Sequence, residues 1–389
     1  MHFTRELSKL ILTLTLVLIS TKNVLAQSSL MTTLPTPEVA EEKPHKSTGK
    51  VTFSIYSRQT EDAFARSHQG VTTISPEFTA RYGQYLTLGL DLAGIFGSGN
   101  ASNFWNDDGK APNSILLNEA YVKVNVFEGV FIKAGVIKTP LNPVFSIMSP
   151  GAFMGTQQEW QIGSDNSNIT LSAFQAIPSS GTVSRRIYDD GTQAYYLTQT
   201  LGGKLKSEAF GTEFRVAATR FQFENLSNNV AGDSYLSGNS LSAFEGFGKL
   251  SRFRHGFMGT EAAFNLKQEI GKHEACVFAS TITNDQAPAG KNKGNIVGAC
   301  LKVAFGNVLV RPTYSVFDYD ADVTPAAYTT LTGRYHNREG YRVGIDVELK
   351  KEKLALKSYY TKMDVKEANP YLADREIYNL AVEAKYDIF

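Results

Sequence analysis

The strongest constraint in this chain is an alternation of period two that runs through most of its length. Leu86, Leu88, Leu90 and Leu92 alternate with Thr87, Gly89 and Asp91. Ala120, Val122, Val124 and Val126 alternate with Glu119, Tyr121, Lys123 and Asn125. The pattern returns in Val297–Phe305, in Tyr341–Leu349 and in Tyr378–Ile388. Successive side chains of a strand point to opposite faces, so each segment reads as a strand with one apolar and one polar or charged face. Such a chain folds as all-β.

Alternation alone does not separate a soluble sandwich or barrel from a membrane barrel. Connection lengths do. Tight turns at Tyr82-Gly83, Glu128-Gly129, Gly271-Lys272, Gly306 and Lys351-Glu352 alternate with long polar segments. Those segments fall at 59–70, 96–114, 139–153, 178–190, 226–257, 285–294, 319–338 and 365–374. Short turns on one rim and long loops on the other describe a transmembrane antiparallel β-barrel. In a bilayer every backbone group must bond internally, which for a sheet means closure without edges.

Strands are expected near 50–58, 71–81, 84–95, 115–127, 130–138, 154–163, 168–177, 191–200, 207–225, 258–270, 273–284, 295–305, 307–318, 339–350, 353–364 and 375–388. Sixteen is an even number and returns both ends to the short-turn side. Segments 226–257 and 319–338 have room for a further strand or pair, for example Leu241–Leu250 or Tyr328–Tyr335, so eighteen stays open. Tyr82, Tyr85, Phe127, Phe131, Phe305, Tyr341 and Tyr386 stand near strand ends, where aromatic girdles form.

Residues 1–26 carry Arg5 and Lys9, the apolar run Leu10–Ile19 and then Val24-Leu25-Ala26. This reads as a Sec signal peptide, since a membrane anchor needs roughly 20 apolar residues. No cysteine follows the cleavage site, which excludes a lipoprotein. Residues 27–49, polar with Pro35, Pro37 and Pro44, read as a flexible periplasmic lead-in, and 50–389 as the barrel. Removing Arg5, Lys9, Lys22 and Glu6 takes the 39 basic and 38 acidic residues to 36 and 37. That balance leaves no basic footprint for nucleic acid.

Enzyme motifs are missing: there is no G-x-S-x-G, no HExxH and no P-loop lysine motif. The six histidines are scattered, and the sole His-x-Ser, His45-Lys46-Ser47, sits in the lead-in. Asp107-Asp108 and Asp189-Asp190 read as solvated loop acids. No catalytic residue, metal ligand or cofactor is expected. A pore needs charged side chains facing its lumen. The alternation nominates Lys123, Lys133, Arg215, Lys302, Arg311, Arg342, Lys357 and Lys385. Their acidic counterparts are Asp91, Glu119, Glu213, Glu261, Asp346, Glu348 and Glu383, a mixed wall without clear ion preference.

Loop 139–153 is the expected constriction, with the uncharged Pro140, Asn142, Phe145, Ser146, Met148, Ser149 and Phe153. Asp318, Asp320 and Asp322 are expected to make an acidic mouth opposed by Arg185 and Arg186. The loop assignment pairs position 276 near 303, so Cys276 and Cys300 are expected as free thiols. No stripe in the sequence decides between monomer and homotrimer.

Two stretches resemble known families. The terminal Phe389 resembles the assembly signal through which barrel-assembly machinery inserts outer-membrane barrels, although Tyr386 and Ile388 are out of phase with it. Leu117-Asn118-Glu119-Ala120-Tyr121-Val122 leads into Phe131-Ile132-Lys133-Ala134-Gly135-Val136, then Thr139-Pro140-Leu141-Asn142-Pro143 and Ser149-Pro150-Gly151-Ala152-Phe153. Gly155-Thr156-Gln157-Gln158-Glu159-Trp160 and Asn168-Ile169-Thr170-Leu171-Ser172 follow. This order resembles the OprD-type porins. The resemblance implies a Gram-negative outer-membrane channel with loops folded into the pore, passing small polar solutes such as amino acids, peptides or carboxylates. It also keeps eighteen strands open, since some members have that number.

Overall fold

A computed structural model describes residues 46–63, 66–100, 113–138, 147–148, 151–178, 193–244, 251–329, 336–369 and 372–388. Residues 1–45, which include the expected signal peptide and most of the expected lead-in, and Phe389 lie outside the described residues. The first strands are β1 (Lys46–Asp62), β2 (Arg66–Tyr82), β3 (Leu86–Asn100), β4 (Ser114–Phe127), β5 (Val130–Lys138) and β6 (Ala152–Gly163). They are followed by β7 (Ser167–Ile177), β8 (Tyr195–Ser207), β9 (Thr212–Glu224), β10 (Leu241–Phe244), β11 (Ser251–Phe253) and β12 (Phe257–Ile270). The last are β13 (His273–Asn284), β14 (Lys293–Phe305), β15 (Val308–Tyr319), β16 (Arg338–Leu349), β17 (Leu354–Val365) and β18 (Arg375–Asp387).

Sixteen of these strands form one closed antiparallel barrel, each paired with its sequence neighbour and β1 with β18. Closure sets Lys50 opposite Asp387 and Asp62 opposite Arg375. β10 and β11 pair only with each other. Segment 226–257 thus holds strand structure near Leu241, but in a separate hairpin that is not part of the barrel sheet, after helix α1 (Asn228–Tyr235). The Ser227 side chain caps that helix by accepting from the Val230 N–H. Segment 319–338 holds a 3-10 turn, Ala326–Tyr328, and its described residues add no further strand to the barrel; 330–335 lie outside the described residues.

The outer face is apolar. Leu88, Leu90, Val122, Val124, Ile132, Val216, Phe264, Val297, Val343, Ile345, Leu380 and Val382 are all exposed. Their neighbours in sequence point to the interior, as period two requires. An exposed apolar band around a closed ladder is what a hydrocarbon environment selects, because nothing else there satisfies the backbone. Among the described residues no helix is long and apolar enough to cross a membrane. Tight turns close one rim; at Gly271 and Gly306 they need φ of 61° and 59°, which glycine takes without a Cβ penalty.

Several boundaries differ from the sequence expectation: β1 already starts at Lys46, inside the expected flexible lead-in, and β3 runs on to Asn100, into the expected loop 96–114. Segment 59–70 is mostly strand: Arg58 pairs with Gln69 and Gln59 with His68, with β1 ending at Asp62 and β2 starting at Arg66. The apolar alternation stops where a strand rises out of the lipid band, but the hydrogen-bonded ladder goes on. β8 likewise runs on through Gly202 and Gly203 to Ser207, two residues that carry no periodic signal. β14 starts at Lys293, opposite Thr283.

The shift of β14 corrects the cysteines. With Thr283 opposite Lys293, Cys276 falls directly opposite Cys300, not near position 303. Their Cα atoms are 5.0 Å apart and the two sulfurs are bonded. That spacing lies within the 4.4–6.8 Å window a disulfide needs. The loop between β13 and β14 is shorter than polarity alone implied, and the register moved with it.

Barrels of this strand number are too wide for wall side chains to fill. Here loops enter the space. Ile137, Ile147, Met148, Phe153, Phe174, Tyr196, Phe223, Val230, Tyr319, Val323 and Tyr328 belong to one buried apolar cluster. Wall positions near the long-loop rim supply part of it, and loops 139–153, 225–256 and 320–337 the rest.

Candidate functional site

The fifteen nominated charges occupy inner positions, each beside outward-facing neighbours on its strand. Most are neutralised locally. Lys133 Nζ lies 2.9 Å from Glu119 Oε1 and 3.7 Å above the Tyr121 ring. Glu119 also accepts the Lys138 N–H at 3.0 Å, and Asp91 takes the Asn118 amide at 3.2 Å. Arg215 Nε is 2.7 Å from Glu213 Oε1, with Lys204 at 3.9 Å and Lys267 at 4.0 Å from the same carboxylate. Lys357 Nζ is 2.7 Å from Glu383 Oε1, and Lys385 is 4.0 Å from the other oxygen. Lys302 is 3.9 Å from Glu274. Tyr359 donates its hydroxyl to Asp346, and the Arg342 guanidinium lies 4.2 Å over the Tyr359 ring. Arg311 faces Asp346 in register, and Glu348 stands exposed opposite Leu309; neither forms an ion pair among the described residues. Lys123 rests 3.7 Å over the Phe131 ring.

Glu261 is different. It is on the inner face but only 3% exposed, so it is a covered group rather than a water-facing wall charge. Its Oε1 accepts the Ile147 N–H and, at 2.7 Å, the Ser280 hydroxyl. Loop 139–153 is therefore held against the wall at Glu261. Met148 bridges to Thr329 of the neighbouring inward loop, and the Tyr196 hydroxyl reaches its sulfur at 3.6 Å. Phe153 meets the Tyr196 and Tyr328 rings edge-on at 5.7 and 5.2 Å. Pro140, Asn142, Phe145, Ser146 and Ser149 lie outside the described residues.

The acidic mouth is corrected. Asp322 is fully buried: it accepts the Ser240 N–H at 2.8 Å, and burial pushes its carboxyl above the usual range. It is a folding element joining loops 225–256 and 320–337, with Asn239 bridging the same loops through the Ala321 and Thr324 carbonyls. Asp318 and Asp320 are both bonded by Lys366. Arg185 and Arg186 lie outside the described residues. His336 is also fully buried, with Nε2 2.9 Å from the Thr329 hydroxyl, and burial lowers its pKa to about 4.

Sequence reasoning missed Ile147, Lys204, Lys267, Glu159, Glu274 and Tyr359. Period two covers Glu159, Lys267, Glu274 and Tyr359 once the strands are placed, and Lys204 was hidden by the misplaced end of β8. Ile147 carried no periodic signal. Among the described residues no group of His, Cys, Asp or Glu is placed to hold a metal.

No known family model and no curated protein matches the sequence. Solved structures do. OprB of Pseudomonas putida superposes with a TM-score of 0.55 at 11% identity, covering 88% of this chain and 94% of OprB. A loop L8 deletion mutant of OmpT, an outer membrane protein of Vibrio cholerae, gives 0.50 at 9% identity, covering 87% and 99%. OccK2 of Pseudomonas aeruginosa gives 0.48 at 11% identity, covering 88% and 98%. At these identities the likeness is one of architecture: the chain has the closed antiparallel β-barrel fold of outer-membrane proteins such as OprB and OmpT.

Proposed function

We propose that the protein is a water-filled channel of the Gram-negative outer membrane through which small polar solutes diffuse passively. The observation that carries this is the charged inner wall. Lys133–Glu119, Arg215–Glu213 and Lys357–Glu383 ring the interior on β4–β5, β9 and β17–β18. Burying so many charges in a dry lumen would cost several kcal/mol per ion, so water must reach them. Fold likeness to outer-membrane proteins supports the location, and the leader at 1–26 supports Sec export into the periplasm. Insertion would then use the barrel-assembly machinery, with outer-membrane lipid as the surrounding solvent. Liposome swelling with sugars and amino acids of graded size tests the reading: swelling rates above protein-free liposomes, falling with solute size, are expected.

The apolar cluster of inward loops favours a second reading, a barrel plugged near the long-loop rim that serves as a structural or adhesive element. Swelling at background with correctly folded protein would favour it. Whether the protein acts as a monomer or homotrimer is decided by native mass spectrometry in detergent.

A further inference from the structure

Two half-buried charges of opposite sign line one cavity of the wall. Lys123 and Glu159 face the same cavity and attract each other across it, but among the described residues they do not touch as an ion pair. The Lys123 ammonium leans onto Phe131, 3.7 Å from the ring centroid. Phe131 is directly opposite Glu159 in the β5–β6 register, so the ammonium stops one strand short of the carboxylate. Glu159 is held from the side by the Gln157 amide at 3.1 Å. Between them opens a cavity of about 620 Å³ at the short-turn rim, lined also by Tyr85, Asn125 and Gln161.

Half-buried opposite charges held apart, one resting on a ring and the other on a neutral amide, gain from a direct charged partner. A solute with a single charge would satisfy one group and leave the other. A solute with both charges on a small frame would satisfy both, its carboxylate at Lys123 and its ammonium at Glu159. Such a solute has no net charge, so the paired charges elsewhere on the wall neither repel nor trap it. We propose that this cavity is a binding subsite for a compact dipolar solute carrying one carboxylate and one ammonium group. The proposal rests on the channel reading and adds to it where on the path the solute pauses.

The test is single-channel current through the mature protein in a planar bilayer, with alanine, propionate or ethylammonium added to each side in turn. Alanine is expected to interrupt the current at about tenfold lower concentration than either singly charged analogue, equivalent to about 1.4 kcal/mol. Lys123→Gln and Glu159→Gln should each abolish that advantage. Equal potency of the three probes on the wild type would overturn the proposal, as would an alanine advantage that survives in both variants. Alanine binding to the detergent-solubilised protein, followed by saturation-transfer NMR, separates the two hypotheses. Binding lost in both variants upholds the subsite even in a barrel that passes no current, and absent binding to the wild type overturns the subsite even in one that conducts.

Discussion

The backbone N–H of Ile147 is hydrogen-bonded to the buried carboxylate of Glu261, a residue 114 positions away on the barrel wall. That bond fixes loop 139–153 to β12. The same oxygen holds the Ser280 hydroxyl at 2.7 Å, so a wall residue helps to orient the carboxylate. Glu261→Ala leaves both donors without their acceptor, which costs about 1–3 kcal/mol for each buried group. The expected result is a larger, noisier single-channel current together with a lower unfolding midpoint in urea. Glu261→Gln keeps an acceptor oxygen and should behave close to wild type. Identical current noise in all three proteins would contradict this role.

The bond between Cys276 and Cys300 ties β13 to β14 across their register. Thiol titration of the denatured, unreduced protein should therefore find no free thiol, and two after reduction. Replacing both cysteines with serine should lower stability by about 3 kcal/mol, the loss that loop closure over some two dozen residues predicts, read as a shift in the urea midpoint. Two titratable thiols before reduction would refute the pairing.

Acid should loosen the loops near the long-loop rim. The pKa of His336 is about 4 in the fold, below its ordinary value of 6.5, because the buried ring is held neutral. Its contribution to stability is therefore complete above pH 6.5 and lost as pH falls towards 4. Asp322 acts in the opposite direction: burial raises its pKa, so acid relieves the cost of its charge. His336→Gln removes only the first effect. Limited proteolysis of loop 320–337 should accelerate between about pH 6 and 4 in wild type and less so in the variant. An equal acceleration in both would assign it elsewhere.

Charge reversal on the inner wall should change ion preference. Lys133→Glu sets two carboxylates at the Glu119 position in place of a pair 2.9 Å apart. The reversal potential in a salt gradient should shift towards cations, and the shift should shrink at high ionic strength because the wall is hydrated. A reversal potential that does not move would place Lys133 off the conducting path.

Much of this fold was legible in the sequence, and the parts that were not share a physical cause. Period two located the strands of the closed barrel because lipid on one side and the lumen on the other impose different chemistry on successive residues. It failed where that contrast ends. The β1–β2 hairpin beyond Arg58 and the Gly202-Gly203 stretch of β8 are strands whose outer faces need not be apolar. The disulfide was missed through the same uncertainty, since the loop between β13 and β14 sets the register and polarity does not measure its length. Inner-facing charges could be named one by one, but not their partners. Whether Glu261 meets water or a loop depends on loop 139–153, which carries no periodicity. Asp322 is expected in an acidic mouth for the same reason, and the fold instead sets it against the Ser240 N–H.

The central claim is an aqueous path through the barrel, and planar-bilayer recording of the purified, folded protein tests it most directly. The account predicts discrete current steps of uniform size, reduced in the presence of small polar solutes. Folded protein that inserts into the bilayer and produces no steps would contradict it, and the apolar cluster around Met148, Phe153 and Tyr328 would then be a plug rather than a constriction.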